Sequence, residues 1–370
     1  VLYPFALSRG ALLLVAWFAR QFAPSWTYAD PVGATRGWQH VPERWLDVWG
    51  RYDTWWYLDL VANGYRPAAD LARQQTNLAF FPLYPALVRG LHALLPEARQ
   101  GYAAQYTLAV ALANACAVGA LWVVYRLVHE RWGDERLARR VVLYVLLFPT
   151  GFFLSCAYSE SLYLFLAAGA LLLAQRGRWW GAGALAALVA LTRSTGVLIA
   201  VPLALLYVER CGWDPRRARP DALALLAAPA ALAGHAAYLG LLSGDPLALF
   251  HAQAAWGRTL APPWITLGLP AHPSMGPFEL AGVAAFAALG ALLLSRRELA
   301  YAAFTWLSLA PILASGTLMS ATRFLAVIFP AFVPLARLGE REAVDRAVVV
   351  GFAFAQAILF AAWSRFYWIG

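Results

Sequence analysis

One carboxylate in this sequence stands where proton transfer is chemically reasonable. Asp53 lies in the run RYDTWWYLDLVANGY (51–65), preceded by Trp45 and Trp49. On a helix, Asp53, Trp56, Tyr57, Leu60 and Gly64 share one face. That pattern predicts an amphipathic helix in the membrane interface, with its aromatic rings at headgroup depth. A carboxylate at the start of such a helix can act as general base toward a hydroxyl presented at the surface. The same position also suits a helix cap or a solvated rim charge, and spacing alone does not separate these roles. Asp59 falls about 240° around the helix and Asp47 is offset likewise, so neither pairs with Asp53.

Further polar groups interrupt apolar runs. SCAYSES (155–161) carries Glu160, LTRSTG (191–196) carries Arg193 and Ser194, and LMSATRF (318–324) carries Ser320 and Arg323. GDPLALFHAQAAWGR (244–258) offers Asp245, His251, Gln253, Trp256 and Arg258. In NLAFFPLYP (77–85), Pro82 and Pro85 enforce a stiff, broken segment. It reads as a re-entrant or surface-lying piece whose Phe80, Phe81 and Tyr84 either line an apolar groove or pack at the lipid interface. Polar groups at such depths are costly unless satisfied.

The elements that must position these groups are membrane helices. The 370 residues are 61% hydrophobic and only 13% charged, with a mean hydropathy of +0.57. Soluble domains run at about 45–50% apolar and about 25% charged, so a secreted disulfide scaffold, a cytosolic enzyme and a disordered regulator are excluded. The three cysteines, Cys116, Cys156 and Cys211, are too scattered for a disulfide or metal framework. Apolar runs predict an all-α polytopic protein, one transmembrane domain over 1–370. Eleven spans are expected near 3–22, 103–126, 138–155, 160–175, 179–192, 195–209, 221–242, 278–294, 299–317, 321–337 and 345–365. The first apolar stretch has no small-residue cleavage site after it, which predicts an uncleaved anchor.

All 29 basic residues are arginine, which together with abundant alanine suggests a GC-rich, bacterial coding sequence and a plasma-membrane location. Sixteen of the 29 fall in the segments 126–140, 176–178, 210–219, 296–297 and 337–346. By the positive-inside rule these face the cytoplasm, and they do so together only if 79–95 does not cross. The N-terminus is then cytoplasmic, the C-terminus outside, and two long outer loops span 23–102 and 243–277. Arg193, Arg258 and Arg323 fall at the outer face against the rule. Guanidinium forks there either snorkel to lipid headgroups or meet a phosphate; three on one face, each beside a polar break, favour phosphate. With no nucleotide fingerprint, P-loop, HExxH or CxxC, an outer-face group transfer on amphiphilic substrates is the expected chemistry. A transporter or flippase for lipid-linked sugars is the alternative; it should show internal repeats, and none is evident. No nucleic-acid partner and no cofactor are expected.

The runs RYDTWWYLDLVANGY … NLAFFPLYP, FPTGFFLSCAYSESLYLF (148–165), LTRSTGVL (191–198), GDPLALFHAQAAWGR and SATRFLAVIFP (320–330) resemble, in order, the signature blocks of the PIG-V-like mannosyltransferases. These are relatives of the second mannosyltransferase of GPI-anchor synthesis. The resemblance implies a GT-C glycosyltransferase fold with two surface-lying helices in the first outer loop. It also implies an inverting transfer, with mannose as the family's sugar, from a polyprenyl-phosphate donor to a lipid or glycan acceptor. In that scheme Asp53 is the base, Arg193, Arg258 and Arg323 meet the donor phosphate, and no metal is needed. Arg51, Trp56, Tyr57, Phe81, Tyr84, Glu160, Ser194, Asp245, His251, Gln253, Trp256 and Ser320 complete the expected substrate-contacting set. Tyr52 and Phe324 depart from the pattern, aromatic for aromatic: Tyr52 stands where the family has Trp, and Phe324 where it has Tyr.

Overall fold

A computed structural model describes residues 1–22, 39–67, 70–71, 73–268 and 275–369. The parts of the two long loops at 23–38 and 269–274 lie outside the described residues. The helices are α1 (Leu2–Phe22), α2 (Arg44–Asp47), α3 (Thr54–Asn63), α4 (Leu83–Ala93), α5 (Tyr102–Trp132) and α6 (Glu135–Leu147). Then come α7 (Glu160–Gln175), α8 (Trp179–Ala190), α9 (Ala200–Arg210), α10 (Ala227–Ser243), α11 (Ala248–Ala254) and α12 (Pro263–Gly268). The chain continues through α13 (Gly276–Ser295), α14 (Leu299–Leu313), α15 (Ala321–Leu325), α16 (Phe332–Leu338) and α17 (Glu342–Ser364). No strand occurs among the described residues.

Among the described residues, five stretches are long and apolar enough to cross a membrane: α1, α5, 220–243, α13 and α17. They coincide with five of the eleven expected spans. The other six are shorter or broken. Helices α7, α8 and α14 run for 16, 12 and 15 residues. The expected spans 138–155, 195–209 and 321–337 each combine a helix with a tighter 3₁₀ turn. The breaks fall at Pro149-Thr150-Gly151, at Arg193 to Gly196 and at Pro330, where proline or a polar run interrupts the helical ladder. Stretch 79–95 yields only the 11-residue α4, about 16 Å long and too short to cross.

Helix α7 is buried on nearly all sides, as an all-apolar helix must be. It packs between α5 and α8. The α5–α6 turn is set by Gly133 in the left-handed region (φ 67°) and by the Asp134 carboxylate, which accepts the Leu137 N–H at 2.9 Å. This turn sits at the arginine-rich end. There Glu130 accepts both Arg126 and Arg176, Arg131 reaches Glu209 and Glu298, and Arg140 pairs with Asp345. All five arginine-rich segments therefore border one end of the bundle, tied by ion pairs between helices. They are more than the plain basic tethers their sequence suggests.

At the other end, close backbone approach fixes the polar breaks. A Cβ on Gly196 would lie 2.2 Å from the Val189 carbonyl oxygen, so the Arg193-Ser194-Thr195 turn folds back on α8 only with glycine there. Buried Arg9 of α1 donates to Ser155 Oγ at 2.7 Å and to the Gly151 carbonyl at 3.0 Å, pinning the segment that leads into α7. Gly196→Ala should destabilise the fold by about 1–3 kcal/mol, read as a lower melting temperature in detergent. Gly234→Ala, whose Cβ would meet nothing within 4 Å, should leave that temperature unchanged. Equal effects of the two would show that the 193–196 turn does not need this approach.

Candidate active site

Asp53 closes a loop that several distant residues hold in place. Trp363 Nε1 donates to the Val48 carbonyl at 2.9 Å, and the Tyr52 hydroxyl donates to the Phe366 carbonyl. Tyr158 Oη donates to the Arg51 carbonyl (2.9 Å) and accepts the Asp53 N–H (3.1 Å). Tyr52 itself sits at φ 45°, a strained conformation for a residue with a side chain. Asp53 occupies the N-cap position of α3, yet its side chain makes no capping bond. The carboxylate turns instead to Arg323.

Arg323 is the centre of the cluster. Its Nη1 donates to Asp53 Oδ2 at 2.7 Å, and its Nε lies 3.3 Å from Glu160 Oε1 in an ion-pair contact. Glu160 Oε1 also faces Arg193 Nη2 at 3.6 Å. The charges alternate: Asp53, Arg323, Glu160, Arg193. Side-chain exposures of 13%, 9%, 3% and 14% show how little water reaches them. Arg258 stands beside this chain with its guanidinium over the Phe324 ring at 5.0 Å. Among the described residues it has no ion-pair partner; burial and the neighbouring Arg323 charge lower its pKa to about 10. Within ion-pair distance three guanidiniums share two carboxylates, and Arg258, which feels Asp53 and Glu279 only from further away, is the charge best placed to take an anion.

The backbone under Arg323 is secured from α13 and from the segment after α6. Buried Glu279 of α13 lies close to the Ser320 and Ala321 N–H groups, and Ser320 adopts the left-handed region at φ 68°. Gly282 admits α15 closely, since a Cβ there would lie 2.9 Å from Leu325 Cδ1. Thr150 Oγ1 donates to the Thr322 carbonyl at 2.8 Å.

An aromatic wall adjoins the charges. Trp256 meets Trp56 and Phe80 edge-on, each at 5.5 Å between centroids, while Trp56 and Phe80 stack at 5.9 Å. Gln253 Nε2 donates to the Ala79 carbonyl at 3.0 Å and so joins the two loops. The Tyr57 hydroxyl shares a 2.9 Å hydrogen bond with Ser159 Oγ; burial, then the Glu160 charge, push its phenol well above the usual range. Trp56 and Tyr57 are buried against protein. The face of α3 expected to lie among lipid headgroups therefore packs inward.

Several expected contacts fall elsewhere. Arg51 is fully buried, paired with Asp47 at 3.0 Å and lying over the Phe366 ring at 4.2 Å, so its work is to shape the loop. Tyr84 is fully buried with its hydroxyl on the Ala109 carbonyl, and Phe81 packs against His235. Both belong to the core and line no open groove. Asp245 and His251 pair with each other at 2.6 Å, a bond that holds the Asp245 pKa below its usual value and closes the α10–α11 turn. Ser194 is exposed at the start of a 3₁₀ turn. Glu279, Tyr158 and Phe153 were not expected: Glu279 and Phe153 fall inside the expected spans 278–294 and 138–155, and Tyr158 in the polar break 155–161, where Glu160 alone was singled out. Both rings lie beneath the Arg323 guanidinium, at 5.2 and 5.7 Å.

Arg323→Gln should cost about 3–5 kcal/mol, because it leaves buried carboxylates uncompensated. Adding Asp53→Asn should recover part of that loss in chemical-denaturation curves. Strict additivity of the two changes would remove the ion pair as an organising contact.

The sequence profile of the family described as Mannosyltransferase (PIG-V) matches residues 28–211, half of the chain. The GPI alpha-1,6-mannosyltransferase 2 of Mus musculus is 30% identical over 249 residues, covering 60% of this chain and 48% of that protein. The Cricetulus griseus protein of the same name is 33% identical over 153 residues, 40% of this chain and 29% of its own length. The chain thus spans about half the length or less of these relatives. In structure it is similar to ArnT from Cupriavidus metallidurans, solved bound to undecaprenyl phosphate. The TM-score is 0.51, with 14% identity over 97% of this chain and 76% of that one. That likeness is one of fold.

Proposed function

We propose that this chain, which belongs to the mannosyltransferase (PIG-V) family, is an inverting membrane glycosyltransferase. It moves a sugar, mannose by family, from a polyprenyl-phosphate donor to a hydroxyl on a lipid or glycan acceptor. The observation that carries this reading is the convergence of Asp53 with Arg193, Arg258 and Arg323, brought together from four separate segments. ArnT, with which the fold is shared, holds undecaprenyl phosphate, and that supports a lipid monophosphate as the donor. The end of the bundle opposite the paired arginine loops is then the outer one, with the N-terminus inside and the donor reached from the outer leaflet.

The chemistry follows from the charges. The acceptor hydroxyl oxygen forms a bond to the anomeric carbon as its proton passes to the Asp53 carboxylate. The bond from that carbon to the phosphate oxygen breaks on the opposite face, and polyprenyl phosphate leaves with the electron pair. Negative charge grows on the departing phosphate, where the three fixed guanidiniums stabilise it without reorganising. Among the described residues Asp53 Oδ1 accepts no hydrogen bond, while Oδ2 is held by Arg323. One oxygen orients the base and the other stays open to a proton. Aromatic Trp56, Phe80 and Trp256 flank the site and offer apolar faces to a sugar ring or prenyl chain.

Purified protein incubated with radiolabelled polyprenyl-phosphate mannose and a lipid or glycan extract should transfer label. Asp53→Asn should lower the rate by about 10²–10⁴-fold, the usual contribution of a positioned base, with donor binding kept. Undiminished transfer by Asp53→Asn would remove Asp53 as the base.

A further inference from the structure

Phe324 touches all three arginines of the site. The guanidinium carbons of Arg193, Arg258 and Arg323 lie 4.7, 5.0 and 5.0 Å from its ring centroid. Three like charges around one ring repel one another, and the carboxylates answer only part of that repulsion. Glu160 serves Arg193 and Arg323, Asp53 serves Arg323, and neither is within ion-pair distance of Arg258. Asp53 and Glu279 attract Arg258 only from beyond that distance, so among the described residues the recorded close contact of its guanidinium with the cluster is the ring.

A ring differs from a carboxylate in a way that matters here. Each cation–π contact contributes about 0.5–2 kcal/mol, and it does so without cancelling the cation's charge. An acidic side chain in the same place would orient Arg258 equally well but would neutralise the charge that attracts an anion. The ring is itself firmly carried. It sits on α15, whose start lies close to Glu279 and whose backbone is tied to Thr150 and packed on Gly282.

We propose that Phe324 is a positioning residue that gathers Arg193, Arg258 and Arg323 into one phosphate-binding focus, acting chiefly through Arg258. This deepens the proposed function, since the ligand is the monophosphate of a polyprenyl lipid. Phe324 makes no bond to the reacting atoms; it sets where the charges point before the donor arrives.

Binding of undecaprenyl monophosphate to the purified full chain in nanodiscs tests this without relying on turnover. Phe324→Leu, which keeps volume but removes the ring, should weaken binding about tenfold, equivalent to about 1.4 kcal/mol. Phe324→Tyr should bind within twofold of the unaltered protein. In the transfer assay, Phe324→Leu should raise the donor KM in proportion while kcat stays within about threefold. Phe324→Met serves as a second ringless variant should the leucine protein fold poorly. Because the ring acts through Arg258, the losses from Phe324→Met and Arg258→Gln should be less than additive. Unchanged binding by both ringless variants, additive losses, or a fall in kcat alone would overturn the proposal and leave the donor reading intact. If the unaltered protein binds no undecaprenyl monophosphate, the donor reading fails first and the role of Phe324 falls with it.

Discussion

Arg323 carries more of this structure than any other side chain, because it answers two carboxylates in a place almost without water. A buried charge is tolerated only when it is paired and hydrogen-bonded, and this one guanidinium ties the Asp53 loop to the start of α7. The surrounding devices all serve that requirement. Glu279 lies against the start of the short helix bearing Arg323, Thr150 ties down its backbone, and the rings of Phe153 and Tyr158 sit beneath the guanidinium. The loop bearing Asp53 accepts a strained Tyr52 to bring its carboxylate within reach. Strain of that kind persists only where neighbours over-determine it, and here Trp363, Tyr158 and Arg51 do so.

The two ends of the bundle use arginine in opposite ways. At one end the guanidiniums are spent on acidic partners from neighbouring helices, and the result is a belt of ion pairs between Glu130, Glu209, Glu298, Asp345 and their arginines. At the other end three guanidiniums gather round one aromatic ring, and one of them has no carboxylate within ion-pair distance among the described residues. Surface pairs of the first kind add modestly to stability. The second arrangement forgoes some stability and keeps a local field, as sites that bind charged substrates do.

Much of the site was legible in the sequence because misplaced charge in a membrane protein is conspicuous. Asp53, Arg193, Arg258 and Arg323 could be singled out since each broke either apolar patterning or the rule that places arginines. Residues that obey local patterns while serving the site were hidden. Phe153 fell inside an expected span, Tyr158 beside the more conspicuous Glu160, and Glu279 is a lone acid near the start of an apolar helix, about forty residues before the backbone it lies against. The converse error arose for Phe81 and Tyr84, whose proline-rich setting suggested a groove although tertiary packing buried them. Helix periodicity gave the correct apolar face of α3, yet periodicity does not tell lipid from protein, and the partner proved to be protein. The long helices matched the expected spans; the broken ones did not, because hydropathy sums over a window and is blind to where proline and glycine interrupt the ladder.

The hydrogen bonds from Trp363 and Tyr52 that join the Val48–Asp53 loop to the last turn of α17 and the segment after it span 315 and 314 positions of sequence. A chain leaves the ribosome from its N-terminus onward, and its early parts fold as they emerge. The Asp53 loop is made early, but the groups that lock it are made almost last among the described residues. Until α17 is in place, the Asp53 loop keeps its bonds to Tyr158 and its Arg51–Asp47 pair but lacks its two most distant anchors. Chain connectivity thus makes the final shape of this loop wait on a helix some three hundred residues further along.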